Sequence, residues 1–242
     1  MSRIAQAYPD RVEVRGRDLT ADLMGRVSFT EYFHLLLTGS EPTADQREFL
    51  DLVLVAIAEH GLMPSNVAAR MTLAADPESL QGAVAAGILG AGPVLLGTSE
   101  ECAKLLAGSI AAGRSAGDVA RALHDAGDRV PGFGHPVHRP VDPRAERILE
   151  LADARGISGP NVAFARELRD AVAETWGKPL PMNVSMPIAA VLLDLGFDAR
   201  TVKAIPILAR TAGLLAHLAE ERDEPIGFAM AGAAEHAVTY TP

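Results

Sequence analysis

The chain is poor in cysteine. Cys102 is its only one in 242 residues, so no intrachain disulfide can form and a reducing compartment is the expectation. A lone cysteine of this kind is expected to serve as a small buried apolar residue. Aromatic residues are also scarce, at 5% against 48% apolar residues in all. Alanine, leucine and glycine dominate instead, which suits closely packed helices better than a sheet of β-branched and aromatic side chains. Basic residues are outnumbered, and the formal net charge of −9 argues against a nucleic-acid footprint. It leaves room for a local cluster of arginines around an anionic ligand. No uncharged apolar run approaches the roughly 18 residues of a transmembrane span. The opening MSRIAQAYPDRVEV lacks the apolar core of a signal peptide. No internal repeat, heptad array or low-complexity tract is present. The expectation is a soluble cytoplasmic protein with neither membrane nor nucleic-acid partners, long enough for one large or two small domains.

What is there is mostly helical pattern. Residues 9–17 alternate enough for a short strand or extended arm, and 18–24 open a first helical turn. Ser28 and Glu31 form a capping box ahead of a helix that stops at Gly39. Further helices are expected over 43–59, from Ser65 or Asn66 to 74, and over 78–89, where Gly82, Gly87 and Gly90 suggest close packing against neighbouring backbone. Others are expected over 100–112, 115–125, 143–153 and 161–174. Residues 175–187 read as a proline-interrupted segment and 188–195 as a short apolar piece. A last helix is expected over 201–221 with Pro206 near its start, followed by an irregular tail. The fold class is all-α.

One stretch concentrates the chemistry. Residues 131–144 run PGFGHPVHRPVDPR. Gly132 and Gly134 let the backbone take positive φ or approach a ligand closely. Phe133 offers an apolar plate, and His135 is a donor or acceptor near neutral pH. His138, Arg139 and Arg144 add cationic or donor groups, and four prolines stiffen the segment. Elsewhere, His60 sits in A-E-H-G. Arg210 lies within the apolar L-A-R-T-A-G, where an arginine needs an anion. His217 follows two helical turns later.

The segment GFGHPVHRPVDPR resembles the GxGHxVxRxxDPR signature of the citrate synthase superfamily, which includes the citryl-CoA lyase module of ATP-citrate lyase. The short chain is most similar to the citryl-CoA lyase type. The resemblance implies a citrate-synthase-like fold, with a large helical domain from residues 1–97 and 196–242 and a smaller inserted helical domain at 98–195. It implies a homodimer, or a higher homo-oligomer. The implied activity makes or breaks a carbon–carbon bond between an acyl-CoA such as acetyl-CoA and a 2-oxo dicarboxylate such as oxaloacetate. A coenzyme A thioester is the co-substrate, and neither metal nor redox cofactor is needed. Carried over residue by residue, His135 polarises the ketone and His60 contacts the di- or tricarboxylate. Arg139 and Arg210 bind substrate carboxylates, and His217 is a possible support. Coenzyme A lies along Val130, Pro131, Gly132, Phe133 and Gly134, with Lys178 near a phosphate. Arg144 either steadies the loop or opens the following helix.

Two positions depart from the family pattern. The N-V-D segment, whose aspartate is the base, reads Asn183-Val184-Ser185 here. The G-P-x-H-G-G segment reads Gly92-Pro93-Val94-Leu95-Leu96-Gly97, with leucine in place of histidine, a position where the lyase module also departs. Serine cannot act as a carboxylate base. Three accounts stand open: a lyase-like enzyme that recruits Glu59, Asp142 or Glu146; a thioester hydrolase with Ser185 as nucleophile and His135 or His60 as base; and a non-catalytic paralogue that binds an acyl-CoA and a dicarboxylate.

Overall fold

The computed structural model describes residues 2–241, and the chain divides after Leu52 into two compact units. The first opens on a small antiparallel meander, β1 (Ala5–Ala7), β2 (Val12–Val14) and β3 (Arg17–Asp18), with Ala5 opposite Val14 and Val14 opposite Arg17. Arg15 and Gly16 both take positive φ between β2 and β3, the backbone of a tight hairpin matched to strand twist. Asp18 accepts from the Thr20 and Ala21 N–H groups and so starts a π turn at Leu19–Leu23. Helix α1 (Phe29–Thr38) begins on the expected capping box of Ser28 and Glu31 and ends on left-handed Gly39. Val14, Leu23 and Leu35 form this unit's core. Helix α2 (Ala44–Ala58) runs across the division.

In the second unit, α3 (Pro64–Ala75), α4 (Leu80–Leu89), α10 (Ala204–Asp223) and α11 (Gly227–Ala237) pack together around Ala69, Leu73, Ala83, Leu214 and Leu218. Gly87 is what lets α4 come so close. A Cβ there would lie 2.7 Å from Leu214 Cδ1 and 2.9 Å from the Ser65 carbonyl oxygen, so the glycine's cost in helix propensity, about 1 kcal/mol, is traded for contact. The other helices, α5 (Thr98–Ala111), α6 (Ala116–Ala126), α7 (Pro143–Ala154), α8 (Pro160–Trp176) and α9 (Ser185–Asp194), pack chiefly on one another. Cys102 on α5 is fully buried, and burial pushes its thiol pKa well up.

Two expectations give way. Residues 185–187 are not part of an interrupted loop: Ser185 opens α9, and Pro187 occupies its first turn, where a missing N–H costs nothing. The tail is not irregular either. Glu221 accepts from the Ile226 and Gly227 N–H groups and so caps α11, while Gly227 presses on Ala74 of α3. The run GFAMAGAA is too uniformly small and apolar to show a helical period. Residues 199–223, which include α10, are long and apolar enough to cross a membrane by length and composition. Yet α10 packs on α3 and α4 and buries Arg210 and Glu221, which is the behaviour of a core helix.

Candidate active site

A cavity of about 310 Å³ is bounded by the 134–136 loop, residues 183–185 at the head of α9, residues 94–98, the α2–α3 connection and α10. Its polar walls are His60, Thr98, His135, Arg144, Asn183, Ser185 and Arg210, and Ile57, Met63, Val94, Leu95 and Leu96 supply apolar surface. Among the described residues, no carboxylate lines it.

The histidine loop is held by its own backbone. Gly132, at φ +79°, is pressed so closely on Cys102 and Met186 that a Cβ would stand 2.7 Å from one sulfur and 2.8 Å from the other residue's Cβ. Asn183 N–H donates to the Gly132 carbonyl at 2.8 Å, the Gly134 N–H donates to the Pro181 carbonyl at 2.8 Å, and Asn183 Nδ2 donates to the Gly134 carbonyl at 2.9 Å. Two adjacent segments of chain are thereby tied edge to edge, with His135 at their rim.

His135 has a determined tautomer. Its Nδ1 accepts from the Val137 N–H at 3.1 Å and the His138 N–H at 2.9 Å. The neutral ring must therefore carry its proton on Nε2. Burial, followed by the neighbouring His138, lowers its pKa, which favours that neutral form. Arg144 Nη2 lies 3.4 Å from the same Nε2. With Nε2 protonated, an acceptor oxygen within reach of both groups would take a hydrogen bond from each.

Arg144 is fixed by Asp142, which is wholly buried and accepts from Arg144 Nη2 at 2.8 Å, Arg144 Nε at 3.1 Å and the Val184 N–H at 3.1 Å. Burial pushes the Asp142 carboxyl up, but the Arg144 bonds and charge outweigh it and hold the pKa below its ordinary value. Arg210 is handled differently. Only 3% exposed, it donates to neutral acceptors alone, Asn66 Oδ1 at 3.0 Å and the Ile57 carbonyl at 3.3 Å. Its Nε has no partner among the described residues. Burial lowers its pKa, with partial compensation from Glu59. A buried guanidinium without a directly paired carboxylate is costly, and its open side is the cavity.

His60 is set in place from behind. Glu59 Oε1 accepts from the His60 N–H at 2.7 Å, the Gly61 N–H at 2.6 Å and Asn66 Nδ2 at 3.1 Å. Its other oxygen meets His217 Nε2 at 3.0 Å, and His217 Nδ1 accepts from buried Arg70 at 3.0 Å. His217 is thus a support for the His60 turn and does not line the cavity. The His60 ring itself meets His138, with 3.1 Å between the two Nε2 atoms.

His60, His135 and His138 offer ligand atoms all within 4.8 Å of one another, a donor count that would suit a divalent transition metal. The details favour an anion. A metal-bound imidazole presents its lone pair to the ion and donates its other N–H outward, whereas His135 presents N–H inward and accepts at Nδ1. Arg144 beside it would repel a cation.

The remaining predicted positions are dispersed. Val130, Pro131, Gly132, Phe133 and Gly134 all line a second cavity of about 610 Å³ that shares His135 and Asn183 with the first. Arg139 is exposed and lines neither of these two cavities, and Lys178 is likewise exposed and outside both. Arg144, the last residue of the motif's D-P-R, supplies the loop's guanidinium to the first cavity. Sequence reasoning left Arg144 between two structural roles; the buried Asp142 that turns it inward is visible only in three dimensions. Glu59 and Asp142 are engaged with backbone and Arg144, Glu146 is exposed beside Arg169, and none of the three borders the cavity.

Ser185 lines the first cavity, and its hydroxyl has no hydrogen-bond partner among the described residues. The N–H groups around it are already used. Val184 donates to Asp142, Ser185 to Asn183 Oδ1 at 3.0 Å, and Met186 to the Asn183 carbonyl at 3.2 Å. Pro187 has none.

Residues 3–227 match the family described as citrate synthase, C-terminal domain. Citrate synthase 2 of Bacillus subtilis is 31% identical over 196 residues, which cover 80% of this chain and 52% of that protein. The structure of citryl-CoA lyase from Hydrogenobacter thermophilus superposes with a TM-score of 0.90 at 31% identity, over 100% of this chain and 94% of that one. ATP citrate lyase from Methanothrix soehngenii, solved with citrate and coenzyme A, shares the fold at a TM-score of 0.83 and 19% identity, over 100% of this chain and 42% of that one. The chain spans about half the length of the curated relatives it matches.

Proposed function

The chain belongs to the citrate synthase family, and we propose that it makes or breaks a carbon–carbon bond between an acyl-CoA and a 2-oxo dicarboxylate, as citryl-CoA lyases and citrate synthases do. Acetyl-CoA and oxaloacetate are the simplest such pair. The observation that carries the reading is the convergence of Arg144, buried Arg210 and the fixed His135 Nε2–H on a cavity whose walls hold no carboxylate. Such a set of donors asks for a ligand with several acidic oxygens.

In this reading the acid sits with its carboxylates toward Arg144, Arg210 and His60. His135 donates to the oxygen of the reacting ketone or tertiary alcohol. Negative charge grows on that oxygen as the bond breaks, so a donor already locked in place stabilises the transition state more than the ground state. The coenzyme A thioester occupies the adjoining 610 Å³ cavity along residues 130–134 and brings its acyl carbon to the Ser185 side. Arg139 and Lys178, both exposed, would serve at most its phosphates. The domain partition at 97/98 and 195/196 and a homodimeric assembly are part of the same proposal.

Thioester hydrolysis by Ser185 is the less favoured chemistry. It needs a base within hydrogen-bond reach of the hydroxyl and free N–H donors for the tetrahedral oxyanion, and the neighbouring N–H groups are spent. Incubation of the protein with citryl-CoA, followed by mass spectrometry, tests the proposal. Acetyl-CoA and oxaloacetate are the expected products. Free citrate and coenzyme A would identify a hydrolase. No turnover despite tight binding of both halves would identify a non-catalytic binding paralogue.

A further inference from the structure

A base is still missing. In the cleavage direction the hydroxyl proton must leave the substrate, and a proton must afterwards reach the enolate carbon. Among the groups lining the cavity, Arg144 and Arg210 are cations, and His135 carries its proton inward and has no lone pair to offer there. The Ser185 hydroxyl hardly ionises near neutrality. Asn183 is bonded at both ends of its amide, to the Gly134 carbonyl and the Ser185 N–H. By elimination, His60 is the one cavity residue able to accept a proton.

His60 does not stand alone. Its Nε2 faces the Nε2 of His138 at 3.1 Å, with the rings edge to face at 82° and centroids 5.2 Å apart. His138 is stacked on His135 at 4.4 Å. It lies behind the cavity wall, partly exposed, and it occupies a variable position of the loop signature. Two facing nitrogens at that distance hold one proton between them, because two bare lone pairs or two N–H groups would repel.

We propose that the His60–His138 pair carries the reaction's proton in place of the carboxylate that Ser185 lacks, with His138 acting through His60 as a relay toward solvent. The inference rests on the carbon–carbon lyase reading. The substrate hydroxyl gives its proton to the His60 ring as the carbon–carbon bond breaks, and the proton shared at the two Nε2 atoms moves onto His138. The bonding pair passes into the thioester enolate, a ketone forms on the departing acid, and the pair returns one proton to the enolate carbon. The pair ends with the proton count it began with. Burial, then the Arg144 charge, keeps His60 below its ordinary pKa, so that it is a neutral acceptor near pH 7. The charged and titratable groups facing the pair are Arg144, His135 and Asp142, with Glu59 and His217 behind the His60 backbone and Arg210 elsewhere on the cavity wall.

The test compares wild type, His138→Ala and His138→Phe, the last keeping an aromatic ring on His135. Citryl-CoA cleavage is followed against pH, with and without added imidazole, and the histidine rings are titrated by nitrogen-15 NMR. The His60 resonance is expected to titrate at a different midpoint in either variant than in wild type. Cleavage should fall by about 100-fold or more in both variants, the usual scale of a lost general acid–base, with oxaloacetate affinity unchanged. Imidazole should partly restore His138→Ala and leave His138→Phe unrescued. Wild-type turnover that survives unchanged in both variants overturns the relay and leaves the lyase reading intact. A wild type that neither cleaves citryl-CoA nor exchanges the acetyl-CoA methyl protons with deuterium oxide overturns the lyase reading, and the relay with it.

Discussion

Replacing Arg210 with methionine separates what this residue does for the fold from what it does for the ligand. The substitution strands two acceptors, Asn66 Oδ1 and the Ile57 carbonyl, at about 1–3 kcal/mol each. It also removes a buried guanidinium that has no directly paired carboxylate, a relief of several kcal/mol. The terms oppose each other, so unliganded Arg210→Met is expected to melt near wild type. Ligand binding should tell the two apart. A dicarboxylate present at about 100 times its Kd stabilises the native state by about 2.7 kcal/mol, which for a chain of this size raises Tm by about 5–10 °C. Loss of one charge-assisted contact, about 1.5–3 kcal/mol, weakens binding by about 10- to 150-fold. At about 50-fold, the same ligand concentration is only twice the new Kd, the stabilisation drops to about 0.7 kcal/mol, and the shift shrinks to about 1–3 °C. The assay is a thermal melt with and without oxaloacetate, with succinate as a dicarboxylate control lacking the ketone. An undiminished oxaloacetate shift in Arg210→Met would refute the reasoning, because the guanidinium would then have no share in the site.

Ser185→Asp places a carboxylate at the head of α9 facing the cavity, and citryl-CoA cleavage is expected to rise by about 100-fold; an unchanged rate would mean the pair of histidines already suffices or the acyl carbon lies elsewhere. Asp142→Asn breaks a buried ion pair and is expected to cost about 3 kcal/mol or more in chemical denaturation. The folded-state pKa of Asp142 is depressed, so its contribution is complete above the ordinary value of 3.8 and fades as pH falls through the folded value; the variant should lose that part of the acid dependence. Gly132→Ala forces a Cβ against Cys102 and Met186 at positive φ and is expected to destabilise by about 2 kcal/mol or more, read as a lower denaturant midpoint.

Several helix boundaries were legible from a side chain, although Ser65 and Asn66, expected to start α3, lie inside it behind an N-cap at Met63. Ser28 with Glu31 and Gly39 act as the caps their residue types suggest. Legibility failed where the helix-forming signal is tertiary. Nothing local marks Glu221 as the cap of α11, and Pro187 masks a helix whose first turn it fits. In the site, Arg210 was nameable because an arginine in so apolar a helix needs an anion, while His60 and His135 were nameable through the family motif they resemble. Arg144 and His138 were counted only among the loop's donors, and their places were not legible, since Asp142 turns the one and His60 meets the other only in the fold. Arg139 shows the converse: its place in a motif matched, while its side chain stands in solvent in the unliganded chain.

The most direct measurement is a crystal structure of the protein with oxaloacetate bound. The account predicts one molecule in the 310 Å³ cavity, its carboxylates on Arg144 and Arg210 and its ketone oxygen on His135 Nε2. Density for the acid at another place, or a cavity holding only water at saturating ligand, would contradict it.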